Sequence, residues 1–599
     1  MRAGNGGERG PNQRVGVRVA PLAALSFLVV MVLALAASAD TFTLKIIAFN
    51  DFHGNLQSPG NFRADAESPS VPAGGVDELA GYVEALKAEN PNHIVVSAGD
   101  LIGASPLVSA LFHDEGTIET MNLLGLNLNG VGNHEFDKGR AELLRMQTGG
   151  CSKLDENTCK GAEVGTPVPF EGAKFEFLAA NVFDEATGKT IFPAYAVRTF
   201  NGVRVAFIGL TLQGTPTMVR PSGVAGLRFA DEATTINANV KQLEEQGIRI
   251  FVVLMHQGGW QTTKGAVDIN GCEGGLEGTP IQGIVNRLDN AVDLVISGHT
   301  HAAYVCQIAN SAGRKIPVTS AASFGRLLTD IDVEIDTATK KVEGIKARNI
   351  VVDRTNPKIT ADARIREIVD RYAALAAPIA NRVVGSITAD ITGANQPGGE
   401  SAMGDLIADA QLEATRESGG AVVAFMNRGG IRGDLEYSSR GAGNGKVTYG
   451  ELFTIQPFGN SLVTMTLTGA QLKTLLEEQF KGCTVDFPAG STTGRTADQI
   501  LQVSEGFTYT WNPAGPTCSK VDASSIKLNG ATIEPTGKYR VTMNSFLADG
   551  GDQLYEFTHG TDRVGGAQDI DALADYFARH HTISPDKLNR IKEVQPTNP

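Results

Sequence analysis

The chain has 599 residues, too many for a single hydrophobic core, so two or more domains are expected. Hydrophobic residues make up 42% and charged residues 20%, the balance of an ordinary globular protein rather than a disordered or fibrous one. A formal net charge of -14 argues against a nucleic-acid polymer as partner, but a metal or a few arginines can still reverse the field for a small anion.

Residues 1–39 read as an export segment. Arg2, Arg9, Arg14 and Arg18 precede the apolar run PLAALSFLVVMVLALAASA, and Ala37-Ser38-Ala39 has the small side chains of a cleavage site before Asp40. An uncleaved membrane anchor is the alternative, since the run approaches the ~18 residues needed to span a bilayer. No Cys follows the run and no apolar tail closes the chain, so neither a lipoprotein nor a second anchor is expected. The expected location is the periplasm or the medium, with no stable membrane insertion. Export makes the six cysteines readable as disulfides. Neighbour pairing, Cys151–Cys159, Cys272–Cys306 and Cys483–Cys518, is the simplest arrangement.

From residue 40, short β-rich runs recur: TLKIIAF, HIVVSAG, VRVAFIGL, RIFVVLM and DLVISG, with helical stretches such as GGVDELAGYVEALKAEN between several of them. The alternation predicts an α/β domain over 40–355 with buried strands. Most of these runs end in a cluster of His, Asp or Gln, and open α/β sheets place their sites just past strand C-termini. Residues 356–383 read as a linker helix, because Ile365, Ile368, Val369, Tyr372 and Leu375 recur at helical spacing between Pro357 and Pro378. A second, smaller α/β region over 384–599 carries AVVAFMN, SLVTMTLTG and KYRVTMNSF.

The chemistry-bearing residues lie in loops: NDFHGN (Asp51, His53), AGDLIG (Asp100), GNHEFD (Asn133, His134, Asp137), MHQGG (His256) and SGHTHA (His299, His301). All but GNHEFD closely follow a strand-like run. An Asp-x-His or His-x-His pair in extended chain points both side chains to one side. One such pair is usually a turn device or a satisfied polar pair. Several in one domain predict a shared pocket of imidazoles, carboxylates and an amide. Those ligands suit zinc, manganese or iron, and not calcium, which takes all-oxygen shells.

The ordered set D-x-H, GD, GNHE, H and GHTH resembles that of the calcineurin-like metallophosphoesterases. The chain after residue 39 resembles the two-domain 5'-nucleotidase family, which includes bacterial periplasmic nucleotidases and UDP-sugar hydrolases. The resemblance implies a layered α/β fold: a four-layer metallophosphoesterase sandwich, the linker helix and a smaller C-terminal α/β domain that binds substrate. It implies two divalent ions, zinc, manganese or cobalt. Asp51, His53 and His301 would hold one, Asn133, His256 and His299 the other, with Asp100 bridging. His134 would face the substrate, oriented by Asp137, and stabilise charge on the phosphoryl group or the leaving alkoxide. Two ions about 3.5–4 Å apart would polarise the phosphoryl oxygens and activate a water for in-line attack.

In the C-terminal half, MNRGGIRGD brings Asn427, Arg428 and Arg432 around a Gly-Gly turn, an expected anion clamp because arginine is a planar, permanently charged donor. QPFGNS offers Phe458, and NSFLADGGDQL offers Phe546 and Asp552; glycine-rich loops expose what they carry. By the resemblance, the two phenylalanines sandwich a nucleobase and Asp552 binds the ribose hydroxyls. Many family members carry an arginine before MGDL where Gly399 stands here, and a small residue where Arg428 stands. The expectation is that one arginine substitutes spatially for the other.

The expected activity is that of an exported phosphohydrolase of small nucleotides, a 5'-nucleotidase, with UDP-sugar hydrolysis as an extension. A 2',3'-cyclic-nucleotide 2'-phosphodiesterase with 3'-nucleotidase activity is the same-fold alternative. The paired phenylalanines speak against a thiosulfohydrolase, and the complete set of metal and catalytic residues against a non-catalytic nucleotide-binding surface protein.

Overall fold

The computed structural model describes Gly16 and residues 40–594, apart from 154, 263–266, 439–442, 486–494 and 496. The expected export segment, Gly16 aside, lies outside the described residues. No helix among the described residues is long and apolar enough to cross a membrane.

Two six-stranded sheets build the N-terminal unit. In spatial order one runs Lys341–Val351, Leu327–Asp336, Thr41–Phe49, His93–Ser97, Leu128–Gly130, Glu176–Leu178. The other runs Ala303–Ala309, Lys315–Ala321, Val292–Ser297, Ile250–His256, Val203–Thr211, Tyr195–Phe200. The central strands of both are parallel. Ile46, Ala48, Ile94 and Val96 of the first sheet meet Phe207, Val252, Leu254 and Ile296 of the second in one buried cluster. Their neighbours in sequence face the other way. Ile47, Phe49 and Val95 pack under the helices Val76–Glu89 and Glu115–Leu124. Ile208, Phe251, Val253 and Val295 pack under Glu232–Glu245 and Pro280–Asn286. Alternate residues of a strand face opposite sides, so a strand covered on both faces must be apolar throughout, as RIFVVLM is. The result is the helix–sheet–sheet–helix layering the resemblance implies.

The strand Leu128–Gly130 has one apolar residue and no pattern to announce it. It forms because it pairs in parallel on both sides, with Val96–Ser97 and with Glu176–Leu178.

The helix at the linker spans Ala363–Ala380, capped by Asp362, whose side chain accepts from the backbone N–H of Arg364 and Ile365. Ile365, Ile368, Val369 and Tyr372 are buried as the spacing predicts, whereas Leu375 is 37% exposed and Ala376 is buried instead. Tyr372 donates to Glu119 at 2.9 Å and packs on Phe112, which pins the helix to the N-terminal unit.

The C-terminal unit has a five-stranded sheet in the order Gln502–Val503, Val423–Met426, Lys538–Asn544, Ser461–Thr468, Thr561–Gln568. The helices Ala402–Gly419 and Asp569–His580 cover one face, and Gly469–Glu478 covers the other. Cys151–Cys159, Cys272–Cys306 and Cys483–Cys518 are the disulfides formed, the neighbour pairing expected from sequence.

Candidate active site

Each of the chemistry-bearing loops leaves the C-terminal end of a parallel strand, and all converge where the two sheets meet. The convergence does not come from strand alternation, as the Asp-x-His spacing suggests. Asp51, His53, Asp100, His299 and His301 have φ of 50°, 48°, 50°, 74° and 56°. This left-handed region is uncommon for side-chain-bearing residues and marks local strain that the surroundings must hold in place. Tight turns, not extended chain, aim the side chains inward. Gly99 and Gly132 make room for them: a Cβ on Gly132 would lie 2.2 Å from Asp100 Oδ1, and one on Gly99 2.6 Å from His256 Nδ1.

Two groups of ligand atoms result. In the first, His301 Nε2 lies 3.1 Å from His53 Nε2 and 3.4 Å from Asp51 Oδ1. In the second, His256 Nε2 is 2.9 Å from Asp100 Oδ2, and His299 Nδ1 is 3.1 Å from Asn133 Oδ1. Asp100 Oδ2 is also 3.6 Å from His53 Nε2, so this carboxylate sits between the groups. The tautomers are set from outside. His53 Nδ1 donates to Gly103 O and His256 Nδ1 to Ala98 O, both at 2.8 Å, which turns each Nε2 inward; against burial, Asp100 raises the pKa of His256 to about 10, so a bound cation would take the place of its Nε2 proton. His256 Nε2 is buried and makes no hydrogen bond of good geometry. Burial pushes the pKa values of His53 and His299 down to about 3, so both rings are neutral and able to ligate. Lone pairs aimed at one another, beside buried carboxylates, fit two divalent cations of the transition series.

Two further acids organise the loops. Glu135 is buried; Oε1 accepts from Leu101 N at 2.7 Å, and Oε2 from Gly132 N at 2.7 Å and Asp100 N at 3.0 Å. It ties the loops of Asp100 and Asn133 together, a role its motif did not reveal. Asp137 accepts from His134 Nδ1 at 2.8 Å. Burial alone would depress the His134 imidazolium, but the carboxylates of Asp137 and Asp100 outweigh it and hold the pKa above its ordinary value. His134 lies next to His53 and Asp100, but its Nδ1 is engaged by Asp137 and its ring faces the C-terminal unit.

Across the cleft, a cavity of about 220 Å³ joins the two units. Asn133, His134, Asp137 and His299 line it from one side, and Asn427, Arg432, Phe458, Phe546 and Asp552 from the other. Phe458 stacks on His134 with ring centroids 5.7 Å apart. The Arg432 guanidinium also lies over the Phe458 ring, 5.9 Å from its centroid, and has no hydrogen-bond partner among the described residues. Burial lowers its pKa, while Asp100, Asp137 and Asp51 act to hold its proton. Asn544 donates to Asn427 at 3.0 Å, and Asn427 to Asp552 Oδ2 at 2.7 Å, leaving Asp552 Oδ1 free to accept.

Arg428 corrects the sequence reading. It opens the short 3-10 turn Arg428–Gly430, and its guanidinium points away from the cavity to donate to Gly393 O and, at 2.6 Å, to Asn395 Oδ1. Its neighbours Asn427 and Arg432 take the cavity side. Nor could Gly399 be replaced by a reaching residue: with φ 90°, its Cβ would lie 2.4 Å from Ile500 Cγ1. Arg428 therefore does not stand in for an arginine at Gly399. Arg220, Asn460, Gln499 and Asn544 also line the cavity and were not found by sequence reading: Asn460 and Asn544 lie within QPFGNS and NSFLADGGDQL but were passed over for the phenylalanines and Asp552, and no motif surrounds Arg220 or Gln499.

Two family profiles match the chain: calcineurin-like phosphoesterase over residues 44–303 and 5'-nucleotidase, C-terminal domain over 383–559. Endonuclease YhcR of Bacillus subtilis is 32% identical over 557 residues, 92% of this chain but 41% of YhcR, so the chain spans less than half of that relative. The 5'-nucleotidase of Rattus norvegicus is 24% identical over 596 residues, 93% of this chain and 91% of the rat protein. The crystal structure of a 5'-nucleotidase precursor from Thermus thermophilus has the same fold, with a TM-score of 0.71 at 24% identity over 92% of this chain and 99% of that one. The chain belongs to the 5'-nucleotidase family of metal-dependent phosphoesterases.

Proposed function

We propose that the protein is an exported 5'-nucleotidase that releases phosphate from nucleoside 5'-monophosphates. The observation that carries this reading is one cavity in which Asn133 and His299, at the edge of the paired ligand groups, and His134 face a pair of phenylalanines and the free carboxylate oxygen of Asp552. Asp51, His53 and His301 would hold one ion, Asn133, His256 and His299 the other, with Asp100 between them. Bound there, zinc, manganese or cobalt would supply Lewis-acid stabilisation of the phosphoryl group and activation of a water.

The chain's own groups do the rest. His134, oriented by Asp137, which favours its protonated form, stabilises negative charge on the phosphoryl group and the departing 5'-oxygen. Arg432, with its donors unengaged, clamps the phosphate from the opposite unit. Phe458 and Phe546 stack on the base, and Asp552 Oδ1 accepts from the ribose hydroxyls. Three disulfides support an oxidising compartment, consistent with export.

A panel assayed for released phosphate on metal-loaded protein tests the reading: AMP, 3'-AMP, 2',3'-cyclic AMP, a UDP-sugar and p-nitrophenyl phosphate. AMP is expected to be the best of these adenine nucleotides. Turnover of the cyclic and 3'-nucleotides without AMP would replace this reading with the cyclic phosphodiesterase.

A further inference from the structure

A base held between Phe458 and Phe546 is gripped by its faces, and every base has such a face. Discrimination between bases has to come from polar groups at the base edge. Asn133 belongs to the ligand groups, and the three asparagines that the C-terminal unit gives the cavity are engaged at both ends of their amides. Asn427 and Asn544 belong to the chain that ends on Asp552, and Asn544 Oδ1 also accepts from Leu547 N. Asn460 accepts from Ser545 Oγ and donates to Asp569.

Gln499 differs. Its Oε1 accepts from Arg495 Nη1 at 2.6 Å, while its Nε2 has no partner among the described residues. Arg495 is itself buried and fixed, with Nε donating to Glu478 O at 2.7 Å and Nη2 to Asp552 O. A guanidinium carries donors only, so the amide cannot turn its NH2 toward Arg495 without opposing donor to donor. The same arginine thus braces the Asp552 loop and sets the orientation of Gln499.

We propose that Gln499, held by Arg495, is a base-reading residue that offers the base edge a fixed hydrogen-bond donor, so that oxo bases are preferred over amino bases. Hypoxanthine, guanine and uracil place a carbonyl oxygen where adenine and cytosine place an amino group. An amino group there would meet the Gln499 N–H donor to donor, and both would go unpaired. The inference rests on the nucleotidase reading, since a base must enter the cavity for Gln499 to act.

The test compares kcat/KM for IMP against AMP, and UMP against CMP, in the wild-type enzyme, Gln499→Glu and Gln499→Met. The wild type is expected to favour the oxo member by about three- to tenfold, the range of one neutral hydrogen bond. In Gln499→Glu one carboxylate oxygen stays on Arg495 and the other becomes an acceptor, so the preference should invert. Gln499→Met has neither donor nor acceptor and should bring both ratios close to one. A wild-type ratio at or below one overturns the proposal without any variant. So does a ratio that stays the same in all three proteins, with every nucleotide losing in proportion, which is what a merely structural role would give. Hydrolysis of p-nitrophenyl phosphate with no nucleotide turned over is a different failure: it removes the nucleotidase reading itself.

Discussion

The imidazole of His134 and the ring of Phe458 stack with centroids 5.7 Å apart and planes inclined by 21°, although the two residues come from different units of the chain. In the proposed function, this contact puts the group assigned to the phosphate directly beside a group assigned to the base. The two ligand groups are assembled without the His134 ring. His134→Asn is therefore expected to keep about two metal ions per chain while kcat falls by about two to four orders of magnitude. Metal analysis beside steady-state kinetics checks this; a variant that loses its metals would make His134 a ligand.

Phe458 and Phe546 should matter to substrates in proportion to what those substrates offer for stacking. Phe458→Ala or Phe546→Ala is expected to cost about 1–3 kcal/mol in kcat/KM for nucleotides of every base. p-Nitrophenyl phosphate, with a smaller ring and no ribose, should lose distinctly less. Equal losses on AMP and p-nitrophenyl phosphate would remove the base clamp.

The two arginines of MNRGGIRGD should separate cleanly. Arg432 faces the ligand groups with unengaged donors, and a charged hydrogen bond contributes about 1.5–3 kcal/mol. Arg432→Ala is expected to lower kcat/KM for AMP by about ten- to a hundredfold. Arg428 is turned toward Gly393 and Asn395, so Arg428→Gly should change kcat/KM by less than about threefold. A larger loss with Arg428→Gly than with Arg432→Ala would mean that the turn is oriented the other way when substrate is bound.

His113 gives a pH-dependent term in stability. Its Nδ1 is 3.0 Å from Glu142 and its Nε2 2.7 Å from Asp155, which lies between the paired Cys151 and Cys159. The hydrogen bond to Glu142 raises its pKa, with help from Asp155, against burial and the nearby Lys138. A raised pKa stabilises the fold fully below the unfolded value of about 6.5, and the contribution is lost as pH rises through the higher folded value. At the acid end Glu142, held down to about 2 against burial by His113 and Arg145, keeps its charge through that range. The drop in Tm caused by His113→Asn should thus be larger near pH 5.5 and shrink by about pH 9.5. A drop that is constant over this range would assign His113 to packing rather than charge.

Much of this site was legible in the sequence because its chemistry is local: Asp51 with His53, Asn133 with His134 and Asp137, and His299 with His301 each sit within a few residues. Apolar runs such as RIFVVLM announce strands buried on both faces, which places the loops at one sheet edge. What escaped depends on geometry rather than composition. The left-handed turns at Asp51, His53 and Asp100 are set by the packing of neighbouring loops, and Glu135 works through backbone N–H groups of two segments. Arg428 and Arg432 look alike in a sequence, yet a short turn sends one outward and one inward. Arg495 and Gln499 acquire their meaning only from contact with the distant Asp552 loop.

Metal dependence tests the central claim most directly. Purified protein is to be chelated exhaustively, assayed for phosphate released from AMP, and then titrated with manganese, cobalt or zinc. The expected result is no release from the chelated enzyme and recovery that saturates near two ions per chain. Asp100→Ala should defeat that recovery more completely than any other single ligand change, because this carboxylate lies between both ligand groups. Full turnover of AMP by the chelated protein would contradict a two-metal phosphohydrolase.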